Sequence, residues 1–177
     1  MLKEELKHMN IMIASDIHGS SYYCREMLNA FEREKPEKLL LLGDILYHGP
    51  RNDLPRDYNP KDVATMLNGI KASVLCVKGN CDSEVDQMML EFPIMAEYCV
   101  LYAGGRTLYA AHGHHERPAL SEGDIYLQGH THIPTWDGAL NPGSVSIPKN
   151  NTPHSYMMLN DDGFTWKNLD GEIYHAL

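Results

Sequence analysis

Leu39-Leu40-Leu41-Leu42-Gly43-Asp44 is the stretch that decides the fold. Four leucines without a polar interruption describe a strand buried on both faces, which is the signature of a sheet covered on each side. The run nevertheless ends in a carboxylate. Gly43 lets the backbone leave the strand at a tight angle, so Asp44 is delivered to the rim of the core, where an ionised carboxylate needs a positive partner. In open α/β sheets the carboxyl ends of strands are where ligands gather.

The same arrangement recurs. Ile11-Met12-Ile13-Ala14 runs into Ser15-Asp16-Ile17-His18, and Val74-Leu75-Cys76-Val77 into Lys78-Gly79-Asn80-Cys81-Asp82. Leu108-Tyr109-Ala110-Ala111 runs into His112-Gly113-His114, and Ile125-Tyr126-Leu127 into Gln128-Gly129-His130-Thr131-His132. If these strand ends converge, Asp16, His18, Asp44, Asn80, His112, His130 and His132 form a mixed oxygen and nitrogen set too large for one ion. Two divalent metals is the natural count. The absence of cysteine from the set argues against a structural zinc site; carboxylate, imidazole and amide donors suit Mn, Fe, Co, Ni or catalytic Zn.

The chain has 177 residues, enough for one domain with a sizeable core. A formal net charge of -9 excludes a broad nucleic-acid or anionic-membrane surface, while leaving small phosphorylated substrates open because metal ions attract them locally. Cys24, Cys76, Cys81 and Cys99 lack CxxC spacing and the density of a disulfide scaffold, so a reducing, cytoplasmic setting is expected. Residues 1–9 carry Lys3, Glu4, Glu5 and Lys7 without an apolar run, and read as a mobile N-terminal extension rather than a signal peptide; 10–177 reads as a single domain. No segment is apolar for long enough to span a bilayer.

In order, the first strand leads through Gly19-Ser20-Ser21 into an amphipathic helix over 22–35, stopped by Pro36 before the leucine strand. This β-α-β unit sets Asp16 beside Asp44. Residues 47–59, rich in proline and glycine, form a long loop placed as a pocket wall, from which Arg51 can reach a substrate phosphate. A helix from Pro60, a strand delivering Asn80, a short helix over 83–90 and a hairpin around Gly104-Gly105 follow. From Trp136 onward, turns at Asp137-Gly138, Asp162-Gly163 and Asp170-Gly171 predict an antiparallel meander, whose exposed edges leave a homo-oligomer open. Two mixed sheets packed face to face, with helices outside, is the architecture that accommodates both halves.

The strings Ser15-Asp16-Ile17-His18-Gly19, Leu42-Gly43-Asp44, Gly79-Asn80, His112-Gly113-His114 and Gly129-His130-Thr131-His132 together resemble the calcineurin-like metallophosphoesterase superfamily. Within it, His48-Gly49-Pro50-Arg51-Asn52, the stretch Gly79 to Gln87 and the stretch Asn141 to Lys149 resemble the YfcE-type bacterial phosphodiesterases. The resemblance implies a four-layer α-β-β-α sandwich and a dinuclear centre, commonly manganese. Carried over by motif, Asp16, His18 and His132 would hold one ion, Asn80, His112 and His130 the other, and Asp44 would bridge. It also implies hydrolysis of a small phosphodiester by a metal-bridging hydroxide, with Asn80 beside the substrate.

One position departs from the pattern. Many members carry a histidine after the motif asparagine as the acid that protonates the leaving group, and this chain has Cys81. Cys81 itself, His114 and His115 are the candidates for that role, and Asn141 to Ser144 is read as a turn shaping the pocket from behind. The alternatives to a phosphodiesterase are a phosphomonoesterase with the same centre and, in a different class, a Vps29-like protein-binding scaffold, which the complete ligand set disfavours.

Overall fold

The computed structural model describes residues 10–103 and 105–177; the expected N-terminal extension lies outside the described residues. Its first sheet is built around β1 (Ile11–Ala14), β2 (Lys38–Leu41) and β3 (Val74–Cys76), which run parallel. Helix α1 (Ser21–Glu34) connects β1 to β2, with Ser20 accepting the Tyr23 N–H as its cap and Lys35 closing it in a left-handed conformation. Helix α2 (Pro60–Asn68), capped by Asn59, precedes β3. Both helices begin and end within about two residues of where caps and prolines place them, the usual margin for such boundaries.

All four leucines are fully buried, and they alternate between two apolar layers. Leu39 and Leu41 pack with Met12, Ala14 and the inner faces of α1 and α2, where Cys24, Met27, Val63 and Leu67 lie. Leu40 and Leu42 point the other way, into a second cluster with Ile11, Ile13, Leu108, Leu127, Leu140, Met157 and Trp166. A strand with an apolar layer on each side must be apolar at every position, which is why no polar residue interrupts the run.

The second cluster lies between the two sheets. The second sheet has the order β4 (Cys99–Ala103), β5 (Arg106–Ala110), β6 (Ile125–Leu127) and β7 (Ala139–Leu140). Strands β8 (Ser155–Asn160), β9 (Gly163–Asn168) and β10 (Ile173–Ala176) extend the first sheet as the expected antiparallel meander, β8 lying against β1. Segment β7 departs from that expectation, pairing parallel with β6 in the second sheet. A two-residue strand has too little pattern to reveal its partner.

The helices gather on one side. Helix α3 (Glu84–Met89), closed by a Ser83/Asp86 capping box, buries no residue of its own, and Leu90, Phe92 and Ile94 just after it join the α1/α2 layer. The two packed sheets and one helical layer of the expected sandwich are present. On the other side, Val100 and Tyr102 are exposed, and the Arg117 guanidinium stands 5.1 Å from the Tyr126 ring centre. Among the described residues no helix is long and apolar enough to cross a membrane.

Candidate metal centre

The seven strand-end residues come together where the carboxyl ends of both sheets meet. Asp16 and His18 leave β1, Asp44 follows β2, Asn80 follows β3, His112 follows β5, and His130 and His132 follow β6. Five of them hold left-handed backbones: Asp16 (φ 58°), His18 (49°), Asp44 (57°), His130 (66°) and His132 (61°). Such conformations are strained for residues with a Cβ and persist only when the surroundings fix them. Gly43, at φ 94°, makes the exit from β2 possible, because a Cβ there would stand 2.6 Å from the Gly79 Cα.

Fixed side chains supply that constraint. The buried Asp82 carboxylate accepts the backbone N–H groups of Asp44 (2.8 Å), Ile45 (2.8 Å) and Gly79 (2.7 Å), tying the exits of β2 and β3 to each other. Ser144 and Ser146 hydroxyls both donate to the Asp16 carbonyl, at 2.9 and 3.1 Å. The Asn141 amide donates to the Gly129 carbonyl at 2.8 Å and to Thr131 Oγ1 at 3.1 Å, steadying the loop that carries His130 and His132. The 141–144 turn is thus a support behind the cleft, as its sequence suggests. None of these contacts has a periodicity; the Gly-Asn-x-Asp spacing was the one signal pointing to Asp82.

Three histidines share an orientation that fixes their tautomers. Nδ1 of His18 faces the Tyr47 carbonyl (2.8 Å), Nδ1 of His132 that of Ile147 (2.7 Å), and Nδ1 of His112 that of Leu42 (2.6 Å). A carbonyl only accepts, so in the neutral rings Nδ1 carries the proton and Nε2 presents a bare lone pair. Those lone pairs converge. His18 and His132 Nε2 stand 3.2 Å apart, and lie 3.5 and 3.3 Å from Asp16 Oδ1, a buried oxygen with no hydrogen-bond partner. His112 Nε2 lies 3.1 Å from Asn80 Oδ1, 3.2 Å from His130 Nδ1 and 3.4 Å from Asp44 Oδ2, and that same Asp44 oxygen is 3.7 Å from His18 Nε2.

Lone pairs collected in a buried space repel unless protons or cations lie among them. Without cations, burial opposes charge on His112, but the hydrogen bond to Asp44 and the field of Asp16 raise it to about 9. Burial likewise works against the Asp16 carboxylate, and its contacts with His132 and His18 outweigh that, holding it well below the usual range. The donor set of two carboxylates, four imidazoles and one amide fits divalent cations of the Mn to Zn series.

Cys81 lies at the edge of this group, its sulfur within 4.8 Å of ligand atoms of His18 and Asp44. Its N–H donates to Asp44 Oδ1 at 2.8 Å. Burial, followed by the Asp44 charge, pushes its thiol up to about 12. A cleft of about 380 Å³ opens over Asp44, Asn80, Cys81, His130 and His132, with Arg51 and Lys149 on its walls. Arg51 thus lines the cleft beside the ligand group. Lys149 was missed; it arrives because its N–H donates to the His132 carbonyl at 3.2 Å. His114 does not line this cleft. It lies with Glu97, Tyr98 and His115 in a crevice that His112 also lines, its ring centre 5.4 Å from that of His112 and 6.2 Å from that of His130.

Known proteins resemble this chain in sequence and fold. Residues 9–162 match the calcineurin-like phosphoesterase superfamily domain. Phosphodiesterase YfcE of Escherichia coli strain K12 is 45% identical over 163 residues, covering 87% of this chain and 89% of that protein. The structure of the YfcE phosphoesterase from E. coli superposes with a TM-score of 0.91 at 42% identity, over 96% of this chain and 98% of that one. A zinc complex of Vps29 from Entamoeba histolytica shares the fold at a TM-score of 0.55 and 20% identity, over 93% and 96% of the two chains. A domain match spanning most of the sequence, and a relative this similar along nearly its whole length, place the chain in the calcineurin-like phosphoesterase superfamily.

Proposed function

We propose that this chain hydrolyses phosphodiesters with two divalent cations, one held by Asp16, His18 and His132, the other by Asn80, His112 and His130, with Asp44 shared between them. The observation that carries the reading is the convergence of the His18, His132, His112 and His130 ring nitrogens into two groups, with Asp44 Oδ2 facing both. Manganese is proposed as the native metal from the family resemblance, and Fe, Co, Zn and Ni are compatible with the same donors. When bound, such a pair lowers the pKa of a water and neutralises charge on the phosphoryl oxygens.

The chain's own residues do the rest. Asp44 is held by its Oδ1 bond to the Cys81 N–H, which leaves Oδ2 facing both histidine groups. Asn80 contributes an oxygen without charge, so the centre keeps more of its attraction for phosphate than a further carboxylate would allow. Arg51 and Lys149 flank the cleft as cations for the non-bridging oxygens. A diester suits the site better than a monoester because a larger cavity adjoins the cleft, sharing Pro50, Arg51, Asn80 and Cys81 with it, and offers room for a second ester arm. The relative named a phosphodiesterase supports the same choice. Four free cysteines suit a reducing, cytoplasmic setting.

The test is metal analysis of purified protein together with turnover of bis(p-nitrophenyl) phosphate and p-nitrophenyl phosphate. About two equivalents of metal and preference for the diester are expected. Preference for the monoester would reassign the substrate; absence of both metal and turnover would favour a binding scaffold.

A further inference from the structure

Beside the ion cleft lies the larger cavity, of about 670 Å³, whose choice of ester arm the chemistry above leaves open. The two share Pro50, Arg51, Asn80 and Cys81, so they adjoin along that wall, on the side where an ester arm of a phosphoryl group in the cleft would project. Its size is that of a pocket for a small organic group. Tyr47 and Tyr58 stand on its wall with His48 wedged between them, at ring-centre distances of 4.7 and 5.2 Å and near-perpendicular planes, so the rings brace one another. Val85, 67% exposed on α3, forms an apolar part of the lining.

The charges are lopsided. Among the described residues lining it, Arg51 is the single cation, and it is shared with the ion cleft; Asp82 and Asp86 are the anions. Asp86 Oδ2 is engaged by the Ser83 N–H (2.8 Å) and hydroxyl (3.0 Å), and Asp82 by three backbone N–H groups. Neither carboxylate turns to meet a ligand, yet both contribute negative potential. Aromatic and proline walls favour a flat group, and the potential disfavours an anionic one.

We propose that this cavity receives the flat, uncharged aromatic arm of the diester and rejects an arm that carries a second anionic group. The inference rests on the diester reading above but is tested by binding rather than turnover. Symmetric diesters remove the question of which arm enters. Calorimetric titration of the manganese-loaded protein with dimethyl, diphenyl and bis(4-carboxyphenyl) phosphate measures the three affinities.

Diphenyl phosphate should bind about ten-fold tighter than dimethyl phosphate, the gain from removing roughly 60 Å² of apolar surface from water. The carboxylated diester should bind about ten-fold weaker than the diphenyl one, from repulsion at partly screened distances. Val85→Asp should reduce the diphenyl advantage at least about three-fold, and Val85→Lys should shrink the carboxylate penalty by a similar factor. Inorganic phosphate, which needs only the ion cleft, should bind equally to all three proteins. Val85 is exposed, so folding is not at stake. Equal affinities for dimethyl and diphenyl phosphate, equal affinity for the carboxylated diester, or indifference to both Val85 substitutions would overturn the proposal. Normal selectivity in a protein that turns over no diester would instead overturn the hydrolase reading and leave the pocket assignment standing.

Discussion

Gly129→Ala perturbs the packing that seats Asp16, and its effect can be worked from the structure. Gly129 does not occupy the left-handed region, so its backbone accepts alanine; the difficulty is space. The new methyl would collide with Ser15 Oγ and stand 2.9 Å from Ser15 Cβ and 3.0 Å from Asp16 Oδ2. Two adjustments are available. Ser15 can rotate and give up its 2.6 Å hydrogen bond to Asp16 Oδ2, worth about 1.5–3 kcal/mol for a bond to a charged group. Alternatively the 129–132 loop can lift, weakening the Asn141 bond to the Gly129 carbonyl and the His130 N–H bond to Asp16 Oδ2, at an overpacking cost of about 1–3 kcal/mol.

Either route should lower stability by about 2 kcal/mol in chelated protein and weaken metal binding about ten- to hundred-fold, the effect of disturbing the supports of metal ligands. Urea unfolding in chelator measures the first and titration with manganese the second. Ser15→Gly supplies the control: it removes the two nearest of the three atoms that the methyl meets. The double variant should therefore be less destabilised than the sum of the singles by about 1–2 kcal/mol. A Gly129→Ala protein within about 0.5 kcal/mol of wild type with unaltered metal affinity, or strict additivity in the cycle, would refute the contact as the cause.

Asp44→Asn should lose metal occupancy and cut diester turnover at least about a hundred-fold while the protein stays folded, since the buried leucines of β2 are untouched; full metal content with near-normal rates would rule out a shared Asp44. Glu34 opposes burial through hydrogen bonds from Lys167 (2.7 Å) and Tyr156 (2.8 Å), which hold its carboxyl below the ordinary value. A depressed folded pKa means this stabilisation is present above the unfolded value and lost as pH falls through the folded one. Glu34→Gln should thus cost about 1 kcal/mol at pH 7 and progressively less as pH drops below about 4, and a pH-independent difference in urea unfolding would contradict that linkage. Cys81, its thiol pushed up to about 12, is a poor proton donor, so Cys81→Ser should change hydrolysis of aryl diesters little, while wild-type rates should fall steeply as leaving-group basicity rises. A flat leaving-group dependence, or a large loss in Cys81→Ser with metal content unchanged, would mean that an acid takes part in the chemical step.

The fold was readable where burial leaves a pattern. Leu39 to Leu42 announce two apolar layers because each residue has one to fill, and the strand-end positions of Asp16, Asp44 and Asn80 follow from chain direction in a parallel sheet. What stayed hidden depends on contacts between distant residues. Nothing in Ala139-Leu140 says which sheet it joins, and the hydroxyls of Ser144 and Ser146 meet Asp16 across more than a hundred residues. His114 lies behind the cleft rather than on its wall: Gly113 at φ 102° turns the chain after His112, and the His114 ring packs 5.4 Å from that of His112 in the crevice both line.

The strained residues explain why so many supports surround so few functional groups. Five left-handed non-glycine residues at roughly 1 kcal/mol each amount to about 5 kcal/mol, comparable with the whole net stability of a small domain. That cost is tolerated because each strained segment is held by hydrogen bonds that an unstrained backbone would not place there: Asp82 on the Asp44 turn, the two serines on Asp16, Asn141 beneath His130 and His132. The Asp-x-His and His-x-His spacings carry the same logic. In both, the two outer residues turn left-handed as the chain leaves a strand, and this bends the segment across the ends of the sheets. The turns that carry the ligands are therefore braced by hydrogen bonds from the chain itself, from Asp82, Ser144, Ser146 and Asn141.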